Sequence, residues 1–111
     1  FSWNAGPSAE PLVKEIAALL EPIGAGDVKS AGAGGADISR LVLAGVPLFT
    51  VRQDASRYFD WHHTANDTFD KIEPESLDCM TAAVAIFAYV AASAPEPFER
   101  IPLEKRVLPR F

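Results

Sequence analysis

The chain has 111 residues, 49% of them hydrophobic and 23% charged, enough for one globular domain with a packed core and unlike a disordered or collagen-like segment. Fifteen acidic residues against ten basic give a formal net charge of −5, and a surface of that sign repels phosphate backbones, which argues against a nucleic-acid partner. The one cysteine, Cys79, excludes an intrachain disulfide and reads as a small buried hydrophobe.

In chain order, Phe1-Ser2-Trp3-Asn4 carries no initiator methionine, basic flank or apolar leader, as expected of a piece from a longer polypeptide. Residues 8–23 form the first expected helix. Leu12, Ile16, Leu19, Leu20 and Ile23 recur on one face, Pro7 and Pro11 sit near the first turn, and Gly24 and Gly26 end it. Residues 27–30 suggest a weak strand, followed by a turn rich in Gly32, Gly34 and Gly35 that lacks the Lys and Ser/Thr of a phosphate loop. A short helix is expected over residues 37–44, with Asp37 near its cap and Gly45 at its end.

Residues 46–51, Val-Pro-Leu-Phe-Thr-Val, have the composition of a buried strand with proline near its start. Residues 53–72 then read as one long loop, too aromatic for disorder and of a length usually kept for function. Pro74, with Glu73 and Glu75 beside it, opens a last helix reaching residue 93, alanine-rich and therefore suited to close packing. Its apolar stretch, residues 80–94, is shorter than the roughly 18–20 residues that span a bilayer, so a core helix and no membrane span is expected. From Pro95 the tail carries Pro97, Pro102 and Pro109 and is expected to lie extended over a surface or stay partly mobile. Helices alternating with strands predict an α/β fold, its parallel sheet covered by helices.

Both histidines are adjacent, in Trp61-His62-His63-Thr64-Ala65-Asn66-Asp67-Thr68. In extended backbone their side chains would point to opposite sides, so one can bind an ion while the other does something else. Asp60, Asp67 and Asp70 lie close enough in sequence to orient an imidazole through its second nitrogen. On spacing alone a His–His pair in a loop is more often structural than ligating, and no further cluster completes a zinc site. The chain has no Gly-X-Ser-X-Gly, no His-Glu-X-X-His and no cysteine pair.

Three stretches nevertheless match a known pattern: Gly34-Gly35-Ala36-Asp37-Ile38, Ala44-Gly45-Val46-Pro47 and Tyr58-Phe59-Asp60-Trp61-His62-His63-Thr64-Ala65-Asn66-Asp67-Thr68. With Asp70-Lys71-Ile72 leading into an alanine-rich helix, they make the chain resemble the C-terminal segment of the zinc-dependent aminopeptidase and carboxypeptidase family. That family includes bacterial leucyl aminopeptidases and plasma glutamate carboxypeptidase. The resemblance implies a partial three-layer α/β/α sandwich with a mostly parallel sheet. Residues 1–94 would be the C-terminal portion of the peptidase domain, and residues 95–111 a proline-rich extended tail.

It also implies that His63 is the last ligand of a centre of two zinc ions, which activate a water and polarise the scissile carbonyl. Asp37 matches an acidic residue near the active site, with helix capping as its equal alternative. The substrate would be a peptide or dipeptide trimmed at one terminus. The other ligands and a general-base glutamate would lie upstream, leaving this chain inactive by itself. Uncovered strand edges would allow a homodimer of the isolated chain, and family habit places the parent in the periplasm or outside the cell. Two alternatives are a non-catalytic receptor-type relative of the same fold and a glutaminyl-cyclase-like zinc acyltransferase.

Overall fold

The computed structural model describes residues 1–30, 32 and 34–108. Its sheet is built on the first residues of the chain. Strand β1 (Ser2–Asn4) pairs antiparallel with β2 (Leu48–Thr50), in the register Ser2 with Thr50, Trp3 with Phe49 and Asn4 with Leu48. On its other side β1 is met by Lys29 in a parallel bridge, with Trp3 N–H donating to Lys29 O and Lys29 N–H to Phe1 O, both at 2.9 Å. The mix of helix and strand is as expected, but the mostly parallel sheet is not. Among the described residues parallel pairing is confined to that one bridge, within the weak strand expected over residues 27–30.

Period-two alternation along β2 divides the packing between the two faces of the sheet. Phe49 turns toward α1 (Glu10–Leu20) and α3 (Pro74–Ser93), where Phe1, Ile16, Leu20, Ala83 and Phe87 form the main cluster and Trp3, Ala5, Ala9 and Val13 a second. Leu48 turns the other way and packs with Val42, Ile38 and Ile101. Full burial of side chains such as Ile16 and Leu20 contributes about 1.5–3 kcal/mol each.

The first helix is continuous in path but not in type. A 3-10 turn, Pro7–Ala9, leads into α1, and a second, Glu21–Ile23, ends at Gly24 in the left-handed conformation. Helix α3 runs the expected twenty residues from Pro74 to Ser93. An 18-residue window within it has a mean hydropathy of 1.5, long and apolar enough by length and composition to cross a membrane. Its Ala83–Phe87 face nevertheless packs into the core, while Leu77, Val84 and Tyr89 stay exposed. Cys79 is half-buried and its thiol donates to Ile23 O at 3.2 Å.

Residues 39–44 form a 3-10 helix whose N-cap is Ile38, with no side-chain cap. Asp37 therefore does not cap it, and lies exposed one residue earlier in the turn. Gly45 ends the segment at φ 73°, a conformation that only glycine adopts without cost. Gly34 (φ 114°) donates its N–H to Thr50 Oγ1 at 2.8 Å, and a Cβ there would press on Leu48 at 3.2 Å. Gly34 is thus held against β2 by close backbone approach.

The described part of the tail is ordered by packing although it has little regular structure. Phe98 joins the main cluster, Ile101 is fully buried, and Ile101 N–H donates to Gly45 O at 3.0 Å. Arg106 Nε folds back onto Ile101 O at 2.7 Å. Pro109 lies outside the described residues.

Candidate functional site

The long loop expected over residues 53–72 contains a single turn of helix, α2 (Tyr58–Trp61), and a 3-10 turn, Phe69–Lys71. Between them the chain reverses direction at the histidines. His62 has φ −50° and ψ 119°, His63 has φ 58°, and Thr64 N–H donates to Trp61 O at 2.9 Å. These are the features of a type II β-turn over residues 61–64, with His63 at the position that normally takes glycine. His63 is the one non-glycine residue of positive φ among the described residues. Such a conformation costs on the order of 1–3 kcal/mol and persists where the surroundings over-determine it, as at functional sites.

The turn overturns one expectation about the two histidines. Their rings do not point to opposite sides; the centroids lie 3.8 Å apart with the planes tilted by 44°. The left-handed step at His63 breaks the extended alternation that would have separated them. His62 is half-buried, stacks on Tyr58 at 4.3 Å, and shares a hydrogen bond between Nε2 and the Tyr58 hydroxyl at 3.2 Å. His63 is exposed, and among the described residues no hydrogen bond reaches its ring nitrogens.

Downstream the block is a run of turns stitched by threonine. The Thr64 hydroxyl donates to Trp61 O at 2.7 Å and accepts from Asn66 N–H at 3.2 Å, while Asp67 N–H donates to Thr64 O at 3.1 Å. Two of the three aspartates expected to orient an imidazole, Asp60 and Asp70, are engaged elsewhere. Asp60 pairs with Arg57 at 3.3 Å, Arg57 itself lying over the Trp61 ring at 4.6 Å. Asp70 is bound by Lys71 and then by Thr68, which hold its carboxyl below the usual carboxylate range. The side chains of Asp37 and His63 are not linked by a hydrogen bond or ion pair among the described residues.

An open cavity of about 490 Å³ adjoins α2, lined among others by Tyr58, Trp61, His62, Asp67, Lys71 and Met80. His62 faces it, and the sequence held no sign of this, because the side-by-side histidines depend on the turn. Thr64 was likewise missed as a structural element of the site. Its signal was the threonine directly after His63, with an amide two residues further on.

As a donor, His63 suits a zinc ion: an accessible imidazole whose ring nitrogens take no hydrogen bond among the described residues. It supplies one ligand only. Among the described residues no three His, Cys, Asp or Glu side chains gather into a metal-binding group, so these residues fit one corner of a site and not a whole one.

Comparison of the sequence with known families places the chain in one of them. The model described as Peptidase family M28 matches residues 2–88, and the chain belongs to that family. Carboxypeptidase Q of Mus musculus is 36% identical over 100 residues, which cover 90% of this chain and 21% of that protein. Carboxypeptidase Q of Rattus norvegicus and of Homo sapiens are 35% and 33% identical over the same length. The chain therefore spans about a fifth of the length of the curated relatives it matches. No solved structure matches it. The resemblance carried by the Gly34–Ile38 and Tyr58–Thr68 stretches is thereby borne out.

Proposed function

We propose that this chain is the C-terminal part of a zinc metallo-exopeptidase and that His63 is one of its metal ligands. The observation that carries the reading is the placement of an accessible imidazole, of positive φ, at the glycine position of a tight turn. A protein retains such strain where the side chain has work to do. Zinc in such a centre lowers the pKa of a water and polarises a carbonyl. His63 would hold one ion, the remaining ligands and a general-base glutamate coming from residues outside this chain. Asp37, exposed beside the glycine-rich stretch, would act near the same centre through hydrogen bonds to metal ligands or substrate.

Two further features support a larger domain around these residues. The outer face of α3, with Val84 and Tyr89, and the loop residues Phe59 and Phe69 are exposed, and the upstream portion of the parent would cover them within a three-layer α/β/α sandwich. Residues 1–94 would then close that domain, and the described part of the tail, residues 95–108, would run over its surface as a strap. The relatives' name, carboxypeptidase, favours peptides or dipeptides trimmed from the carboxyl end. The expected homodimer and an extracytoplasmic location remain part of the same proposal.

The test is hydrolysis of dipeptides and of aminoacyl anilides by the complete protein and by this chain alone, before and after treatment with a zinc chelator. The complete protein is expected to be active and chelator-sensitive, and the chain alone inert. Equal rates from both would contradict the proposal. A preference for the anilides would reverse the direction of trimming without touching the metal.

A further inference from the structure

We propose that Tyr58, His62 and Thr64 are positioning residues that hold the His63 imidazole ready for its metal, an inference that rests on reading His63 as a ligand. A ligating histidine is ordinarily fixed by a carboxylate or carbonyl on its second nitrogen. Among the described residues His63 has no such partner, and the three neighbouring aspartates do not supply one. What surrounds it instead is a clamp with one arm on each side of the turn.

The upstream arm is aromatic. His62 N–H donates to Tyr58 O at 2.9 Å, closing the helical turn that brings the two rings together one turn apart. The rings stack at 4.3 Å with 26° between planes, the tyrosine hydroxyl is bonded to Nε2, and Phe59 meets His62 edge-on at 6.2 Å. His62 is thus held by two contacts from Tyr58 and one from Phe59, and its ring in turn lies against that of His63 at 3.8 Å. Rotation of the His63 ring toward α2 is blocked by a side chain that is itself immobilised.

The downstream arm is polar. Thr64 gives two hydrogen bonds to the same carbonyl, Trp61 O, one from its backbone at 2.9 Å and one from its hydroxyl at 2.7 Å. The hydroxyl also receives Asn66 N–H. A type II turn with a histidine in the glycine position leans toward opening, and the second bond opposes this. The role belongs to the hydroxyl: serine can reproduce it and valine, of nearly the same shape, cannot.

The experiment is zinc affinity, measured by competition with a chromophoric chelator, on the complete protein and its variants. His62→Ala and Thr64→Val are expected to weaken one zinc site by about 10- to 100-fold, the range for groups that orient a ligand. Thr64→Ser and His62→Phe should stay close to the parent, and saturating zinc should restore turnover in the weakened variants. His63→Ala, the control for the ligand itself, should lose that ion at any workable zinc concentration. Parental affinity in both His62→Ala and Thr64→Val, with loss in His63→Ala, overturns the clamp and leaves the ligand standing. If His62→Phe loses zinc as completely as His63→Ala, His62 is a ligand and the clamp is again overturned. Retention of zinc by His63→Ala overturns the reading beneath both. If Thr64→Val does not fold, the His62→Ala and His62→Phe pair still decides.

Discussion

The Glu99 carboxylate accepts a hydrogen bond from the backbone N–H of Ser8 at 2.9 Å, tying the tail to the start of the first helix across 91 positions of sequence. Beside it Gly6 N–H donates to Glu99 O at 2.8 Å, and a methyl group on Gly6 would collide with the glutamate side chain. The approach to α1 is therefore shaped around the tail, which behaves as a strap over the core.

That bond sets a pH dependence. The Ser8 backbone N–H, and after it the Ser8 side chain, holds the Glu99 carboxyl below its usual range. A carboxyl depressed in the folded state adds stability above its unfolded pKa of about 4.3 and loses it as pH falls through the folded value. Thermal midpoints of the parent and of Glu99→Gln should differ at neutral pH, the parent being higher, and converge as the solution is acidified through that window. A gap that stays constant down to acid pH would show that the charge contributes nothing.

Phe87 is the hub of the helical face, its ring centroid 4.6 Å from Phe1, 4.8 Å from Phe49 and 6.5 Å from Phe98. It joins α3, both strand-bearing ends of the sheet and the tail in one cluster. Phe87→Ala should destabilise by about 3–5 kcal/mol, read from urea unfolding. A loss below ~1 kcal/mol would mean that the cluster collapses to fill the space and that Phe87 is no hub.

The left-handed backbone at His63 makes a separate prediction about stability. His63→Gly and His63→Ala both remove the imidazole, but only glycine tolerates φ 58° without steric cost. In metal-free protein the glycine variant should be the more stable by about 1 kcal/mol. The reverse order, expected wherever φ is negative because glycine loses more backbone entropy, would place the turn in another conformation.

What was legible in the sequence follows the length of the pattern. The two long helices announced themselves through spaced apolar residues and through Pro74 and Gly24 at their boundaries. Strand β1 did not: Ser2-Trp3-Asn4 is too short to show alternation, and its partner Leu48 is distant in sequence. The direction of pairing was also hidden, because buried strands of either sense read as apolar runs. At the site, the residue block pointed to His63 by resemblance, whereas the geometry that unites His62 and His63 depends on a positive φ that no glycine signalled. Asp37 had the composition of a cap, yet the 3-10 segment begins after Ile38 and leaves it outside.

The central claim, that His63 is a zinc ligand, is tested most directly by the metal content of the complete protein beside that of His63→Ala. The variant should retain one zinc ion fewer after dialysis, and its turnover should fall by more than about 100-fold, beyond what loss of an orienting group costs. Unchanged zinc content and unchanged turnover would contradict the assignment and reduce the strained turn to a structural feature of the loop.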